Sequence, residues 1–204
     1  ITSMDADHLD IYGEKDDLIN SFKAFTKKLK PQGKLFIKKG LPLDGITYAV
    51  DENADYSATN IKIENGAYVF DIKTPKEIIN NVLLNLPGRH NLSNALIALA
   101  MAIELGCAPY SLVSALASYK GVKRRFTYQI KTPEFVFIDD YAHHPEEINA
   151  VYQAVSEMYP NKQKLVIFQP HLFSRTRDFA NEFAKSLSQF DEIRLLDIYP
   201  AREL

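Results

Sequence analysis

The sequence predicts an α/β protein with two domains. From Phe126 onward, short apolar strands alternate with amphipathic helices, which is typical of a parallel sheet whose strands are joined by helices. Before that point, several short strands separated by Gly, Asn and Pro are followed by two helices. The chain has 204 residues, of which 46% are hydrophobic, so it is long enough to bury a core in each domain.

Composition excludes several classes of function. The 24 Lys and Arg against 26 Asp and Glu give a net charge of −2, without the basic excess expected of a nucleic-acid-binding domain. The single cysteine, Cys107, excludes an intramolecular disulfide and is typical of a reducing compartment. No apolar stretch approaches the roughly 20 residues of a membrane span. We therefore expect a cytoplasmic protein without nucleic-acid or membrane partners.

In the first domain, residues 1–122, the segment DDLINSFKAFTKKL predicts a helix, because its apolar residues recur at helical spacing. The segments KLFIKKG, ITYAV, NIKIENG and AYVFDIK predict strands, and Asn65-Gly66 predicts a hairpin turn between the last two. A second apolar stripe, formed by Leu92, Leu96, Leu99 and Ile103, predicts a helix that Gly106 terminates. SLVSALASY predicts one more helix.

The second domain, residues 123–204, should follow a boundary near GVKRRF, residues 121–126. Its predicted strands are TYQIK, FVFID, KLVIF and EIRLLDI, and its predicted helices are PEEINAVYQAVSEM and SRTRDFANEFAKSLSQF. Strands and helices that alternate in this way favour parallel pairing of the last three strands.

Polar loops follow these three strands. They are DYAHHP, QPHLFSRTRD and YPARE, and parallel strands end at one edge of a sheet, where such folds bind ligands. Helix capping accounts for four residues, Pro145, Glu146, Glu147 and Ser174. It leaves Asp140, His143, His171 and Arg175 unexplained, which favours a ligand site.

Three further stretches allow two interpretations each. Asn91 and Asn94 could cap a helix or bind a purine through their carboxamides. Arg124 and Arg125 could be solvated charges or phosphate ligands. His8 in DADHLD could be a metal ligand or a neighbour of a helix start. The chain has no GxxxxGK[ST], HExxH or CxxC motif.

Taken together, these motifs resemble the Mur ligase family. The resemblance rests on ITSMDADHLD, PGRHNLSNALIA, GVKRRF, DDYAHHPEEI, FQPHLFSRTRDF and YPARE, in this order, and covers essentially the whole chain. It implies the remainder of a P-loop-type ATPase domain followed by an incomplete Rossmann-like parallel-sheet domain. The phosphate loop of the family would lie upstream of Ile1, so we expect a fragment that is inactive on its own.

The resemblance also implies an activity. It is strongest to the branch of the family that joins L-alanine to the lactyl carboxylate of UDP-N-acetylmuramate through an acyl phosphate, in peptidoglycan precursor synthesis. ATP and Mg²⁺ would be required, and magnesium and cationic side chains would neutralise the phosphates.

Roles carried over from the family divide the candidate residues into three groups. His8 would bind magnesium and, with Arg125 on the transferred phosphate, form the catalytic set. The ATP-binding set would be His90, Asn91, Asn94, Arg125 and Asp140. The set that faces the uridine nucleotide and the amino acid would be Tyr141, His143, His171 and Arg175.

Two alternatives from other classes remain. A metal-dependent phosphoesterase could use the acids and histidines of DADH and DDYAHH, although these lie in different predicted domains. A non-catalytic nucleotide-binding module would need the asparagine pair and would leave the C-terminal loops without a role. A requirement for both L-alanine and UDP-N-acetylmuramate in phosphate release separates all three.

Overall fold

The structure is a computed structural model that describes residues 1–4, 14–64 and 66–203. His8, the predicted magnesium ligand, and Asn65 of the predicted hairpin turn lie outside the described residues. The chain forms two compact units. Unit 1 comprises Ile1–Lys62, Tyr68–Leu84 and Leu92–Ser118, and unit 2 comprises Ile63–Ala67, Asn85–Asn91 and Tyr119–Leu204.

Unit 1 contains a five-stranded sheet in which the strands follow one another in chain order. After helix α1 (Lys15–Thr26), the strands are β1 (Phe36–Lys38), β2 (Ile46–Val50), β3 (Tyr56–Glu64), β4 (Ala67–Lys73) and β5 (Ile78–Leu84). β2 pairs in parallel with both β1 and β3, whereas β4 and β5 are antiparallel. Large side chains fill the core beside the sheet, including those of Tyr48, Tyr56, Tyr68, Phe70 and Leu84.

β5 was not expected from the sequence. Its sequence, IINNVLL, shows no clear alternation of apolar and polar residues. This agrees with the structure, in which the pairing with β4 shifts register between Phe70 and Ile72. Asn81 adopts a left-handed φ of 57°, and its backbone N–H donates to Asp71 Oδ1 at 2.9 Å. A bulge of this kind breaks the period of two from which strands are recognised.

Helix α2 (Arg89–Glu104) confirms the predicted stripe in large part. Leu92, Leu96 and Leu99 are buried, together with Ala95 and Ala100. The helix ends as predicted, since Gly106 has a φ of +92° and donates its N–H to Ile103 O at 2.9 Å. Helix α3 (Pro109–Ser118) follows.

Unit 2 contains the elements β6 (Thr127–Lys131), β7 (Val136–Asp139), α4 (Pro145–Met158), β8 (Leu165–Phe168), α5 (Phe173–Asp178), α6 (Ala180–Leu187) and β9 (Glu192–Leu195). β8 and β9 pair in parallel, as expected, so that the chain is an α/β protein with parallel pairing in both units. A core of Ile148, Phe168, Phe183 and Leu187 joins α4 and α6 to β8.

Two details of unit 2 differ from the sequence-based expectation. In the described strand pairings, β7 is hydrogen-bonded to β6 in antiparallel fashion rather than to β8. The single helix expected over residues 174–190 is divided, because Phe179 leaves helical geometry with a φ of −115° and ends α5.

Candidate functional site

The loops that follow β7, β8 and β9 meet in unit 2. The ring centroids of His143 and His171 are 6.2 Å apart, and those of His171 and Tyr199 are 5.5 Å apart. His171 and Tyr199 also form a parallel β-bridge, and Leu172 N–H donates to Tyr199 O at 2.9 Å. The structure therefore brings the three loops together, although β7 does not share a hydrogen-bonded ladder with β8.

Asp140 anchors the segment GVKRRF to the loop after β7. Its Oδ2 accepts the N–H of Phe126 at 2.7 Å, and its Oδ1 accepts the N–H of Ala142 at 2.8 Å. The backbone of Arg124 and Phe126 has positive φ values of 60° and 49°, which cost free energy and persist only where such contacts hold them. Asp140 thus fixes the chain directly after Arg125, and the neighbouring Tyr141 N–H donates to Arg124 O at 2.9 Å.

The two arginines of this segment face an aromatic ring. The guanidinium carbons of Arg124 and Arg125 lie 4.8 and 6.0 Å from the centroid of the Tyr141 ring. Arg124 Nε is 4.0 Å from Asp139 Oδ2, and Arg125 Nη1 is 3.5 Å from Glu147 Oε1. Half of the Arg125 side chain remains exposed, so its guanidinium can still donate to an anion.

Glu147 contacts more of the candidate residues than the sequence indicated. Its Oε2 accepts the backbone N–H groups of His143 and His144 at 2.8 and 3.2 Å, and lies 3.2 Å from His143 Nδ1. From its position in the sequence, Glu147 was expected only to cap α4. Its position at the third residue of a helix satisfies that role fully, so no signal in the sequence pointed to the contact with Arg125.

His90 lies near enough to the charged side chains of Asp140, Arg125 and Glu147 for them to affect its pKa. Burial lowers the pKa of His90 below its ordinary value, while Asp140 opposes the shift, Arg125 adds to it and Glu147 opposes it. The ring is also close to Gly88, since a Cβ atom built on Gly88 would lie 2.5 Å from His90 Cε1. His90 is therefore held against the backbone that precedes α2, near Arg125 and Asp140.

His171 should titrate at a lower pH than a free histidine. Burial lowers the pKa of its ring, and the positive charges of Arg175 and His143 lower it further. In an NMR titration of the chain, we expect its midpoint to lie below about 6.5 and to rise in Arg175→Gln. Because the folded state binds this proton less readily, the neutral ring's contribution to stability is present above about pH 6.5 and is lost as pH falls. A midpoint at or above 6.5 would contradict this.

The remaining candidates are placed as follows. Asn91 Nδ2 donates to Pro87 O at 2.6 Å, which is a local helix-start contact, and Asn94 is exposed one turn later on α2. Asn91 belongs to unit 2 and Asn94 to unit 1. Arg175 lies partly buried in α5. The described residues include no cluster of three or more His, Cys, Asp or Glu that could hold a metal ion, and none of their helices is long and apolar enough to cross a membrane.

Two family models match the chain. Residues 1–102 match the Mur ligase middle domain, and residues 124–203 match the model described as Mur ligase, glutamate ligase domain. The chain belongs to the Mur ligase family. The resemblance inferred from the sequence motifs is thereby confirmed.

Curated Mur ligases with high identity cover the whole chain. The UDP-N-acetylmuramate–L-alanine ligase of Christiangramia forsetii is 64% identical over all 204 residues, and that of Flavobacterium psychrophilum is 63% identical. The chain spans 45% and 46% of the length of these two relatives. It therefore matches a little less than half of each relative.

Solved structures of Mur ligases share the fold. The UDP-N-acetylmuramate–alanine ligase of Thermotoga maritima aligns with 98% of this chain and 46% of its own, at 27% identity and a TM-score of 0.76. A MurF ligase from the same organism, in complex with ADP, aligns with 96% of this chain and 47% of its own, at 18% identity and a TM-score of 0.77. At 18% identity, the similarity to the MurF ligase shows only that the two chains share a fold.

Proposed function

We propose that the protein containing these residues joins L-alanine to the lactyl carboxylate of UDP-N-acetylmuramate in an ATP-dependent reaction of peptidoglycan precursor synthesis in the cytoplasm. The observation that carries the proposal is the identity of 64% and 63%, over the entire chain, with two relatives named UDP-N-acetylmuramate–L-alanine ligase. The proposed boundary between the ATP-binding part, 1–122, and the ligand-binding part, 123–204, is supported by the break between the two family matches.

The geometry of unit 2 supports a division of labour. His90, Asn91 and Arg125 would bind ATP, with Asn94 one turn further along α2. Asp140 would act by joining the backbone directly after Arg125 to the loop after β7, since its two oxygens accept the N–H groups of Phe126 and Ala142. The Arg125 guanidinium would donate to the phosphoryl group that moves to the lactyl carboxylate, where charge develops in the transition state.

The joined loops after β7, β8 and β9 would bind the other two substrates. Tyr141 and His143 lie in the first loop, His171 lies in the second, and Arg175 lies on α5, which follows the second loop. Aromatic rings and cationic donors at one place suit a uridine diphosphate, which combines a planar base with two phosphates. Magnesium would supply further neutralisation of the phosphates, and its proposed ligand His8 lies outside the described residues.

A chimera tests the proposal. In the Christiangramia forsetii relative, the segment that aligns with this chain is replaced by residues 1–204, and the release of phosphate from ATP is measured. We expect release that requires both L-alanine and UDP-N-acetylmuramate, and the 204-residue chain alone should show none. Release without L-alanine would favour the phosphoesterase, and ATP binding without turnover would favour the nucleotide-binding module.

Substitutions of His171 and Arg175 should affect one substrate selectively. In the chimera, His171→Ala and Arg175→Ala should each raise the KM for UDP-N-acetylmuramate about tenfold, since a hydrogen bond to a charged group contributes about 1.5–3 kcal/mol. The KM for ATP should change little. Arg177→Ala is the matched control, because Arg177 lies on the same helix, is largely exposed and pairs with its neighbour Asp178. An equal rise in the KM for ATP and in the KM for UDP-N-acetylmuramate would refute the assignment.

A further inference from the structure

One carboxylate in unit 2 joins two parts of the candidate site. Glu147 Oε1 lies 3.5 Å from Arg125 Nη1, while Glu147 Oε2 accepts the N–H groups of His143 and His144. Arg125 precedes β6, and the histidines follow β7. The two oxygens of Glu147 thus contact different segments of the chain.

Helix capping explains only one of these contacts. A glutamate at the third helical position commonly accepts the N–H of the residue that caps the helix, which here is His144. Such a cap needs one oxygen and makes no use of a cation. The contact of the second oxygen with Arg125 is therefore additional to the helix start.

Glu147 also fixes the ring of His143. Nδ1 of this ring lies 3.0 Å from Tyr141 O and 3.2 Å from Glu147 Oε2. Both neighbours are hydrogen-bond acceptors, so Nδ1 carries the hydrogen and the ring is held from that side. The other ring nitrogen, Nε2, is then the atom of His143 that is left to contact a ligand.

We propose that Glu147 is a positioning residue of the ligase reaction, which holds the guanidinium of Arg125 and the ring of His143 in one fixed arrangement. The inference rests on the proposed function, in which Arg125 contacts the transferred phosphate and His143 faces the substrate. Arg125 is half exposed and has several rotatable bonds, so an ion pair that restricts it before the ligands arrive reduces the ordering required later. Misplacement of such groups by about 1 Å can lower a rate about 100-fold.

Glu147→Gln separates positioning from capping. Glutamine is also suited to the third position of a capping box, so the variant retains an acceptor for the backbone N–H groups but loses the charge that pairs with Arg125. In the chimera, we expect kcat to fall about tenfold, because the substitution disturbs the geometry of the transition state. The KM for ATP and the KM for UDP-N-acetylmuramate should change little. Glu146→Gln removes the same charge from the exposed neighbouring position on α4 and should leave kcat unchanged.

A double variant checks that Glu147 acts through Arg125. In an Arg125→Ala background, Glu147→Gln should lower kcat much less than it does alone, since residues that act as a unit are not additive. Full additivity, or a Glu147→Gln enzyme as active as Glu146→Gln, would overturn the proposal.

An NMR measurement on the 204-residue chain decides the structural part without any turnover. Arg125→Ala should shift the ring and amide resonances of His143, and this shift should shrink in a Glu147→Gln background. Unchanged His143 resonances in Arg125→Ala, or an equal shift in both backgrounds, would overturn the coupling. A wild-type chimera without alanine-dependent turnover would instead refute the proposed function, so that the two failures are distinguishable.

Discussion

Replacing Arg125 with alanine should lower kcat of the ligase chimera about 100- to 1,000-fold, the usual effect of removing one donor that stabilises transition-state charge. The residue before it, Arg124, has a left-handed backbone. The Arg125 guanidinium is held by Glu147, since Arg125 Nη1 lies 3.5 Å from Glu147 Oε1. The exposed half of the side chain leaves donors available to a phosphoryl group. Because a donor at that group stabilises the charge distribution of the transition state more than that of bound ATP, the KM for ATP should rise much less than kcat falls.

Rapid-quench measurements of a single turnover, with acid-labile phosphate as the readout, place the loss on the chemical step. Arg125→Lys should recover part of the rate, since an ammonium retains the charge but not the planar fork of donors. Lys123→Ala is the control for positive charge in the same segment, because Lys123 is exposed. An Arg125→Ala enzyme with unchanged kcat would show that the guanidinium does not contact the transferred group.

The ends of a helix could be predicted from the sequence where residues of the same helix or directly beside it determine them. Helix α4 begins at Pro145 and ends at Met158, as its proline, its two acidic residues and its apolar spacing predicted. The end of α2 shortly before Gly106 was predictable in the same way, since a glycine after an apolar stripe readily adopts the left-handed conformation that ends a helix. The convergence of the loops that carry His143, His171 and Tyr199 was predicted from three parallel strands ending at one edge, although in the described pairings β7 pairs with β6 and not with β8.

Features that depend on contacts between distant segments were not predictable. The ladder between β6 and β7 and the bulge at Asn81 are decided by pairing partners, which no local pattern contains. Glu147 is the clearest case in the candidate site. Its spacing from Arg125 along the chain has no helical or strand period, and only the folded unit 2 shows that their charges meet.

Gly88→Ala should destabilise the chain by about 3 kcal/mol, as the sum of a left-handed conformation at about 1–2 kcal/mol and crowding at about 1–3 kcal/mol. Gly88 is buried and has a φ of +97°. A Cβ atom there would lie 2.5 Å from His90 Cε1 and 3.2 Å from the Cβ of Ala154 on α4. The His90 ring would have to rotate away, and the methyl group of Ala154 limits any backbone shift that could retain it.

Gly106→Ala is the matched control, because Gly88 and Gly106 flank the same helix, α2. Gly106 has a φ of +92° but nothing within 4 Å of the added Cβ, so its substitution should cost only the conformational part, about 1–2 kcal/mol. Urea unfolding followed by circular dichroism, with hydrogen exchange of α4 amides to report on unit 2, measures both. The Gly88→Ala chain should also show a displaced His90 ring resonance, since the ring loses its place beside the backbone. If Gly88→Ala costs no more than Gly106→Ala and leaves the His90 resonance unchanged, the close contact between Gly88 and His90 does not exist in solution, and the position assigned to His90 near Arg125 and Asp140 is wrong.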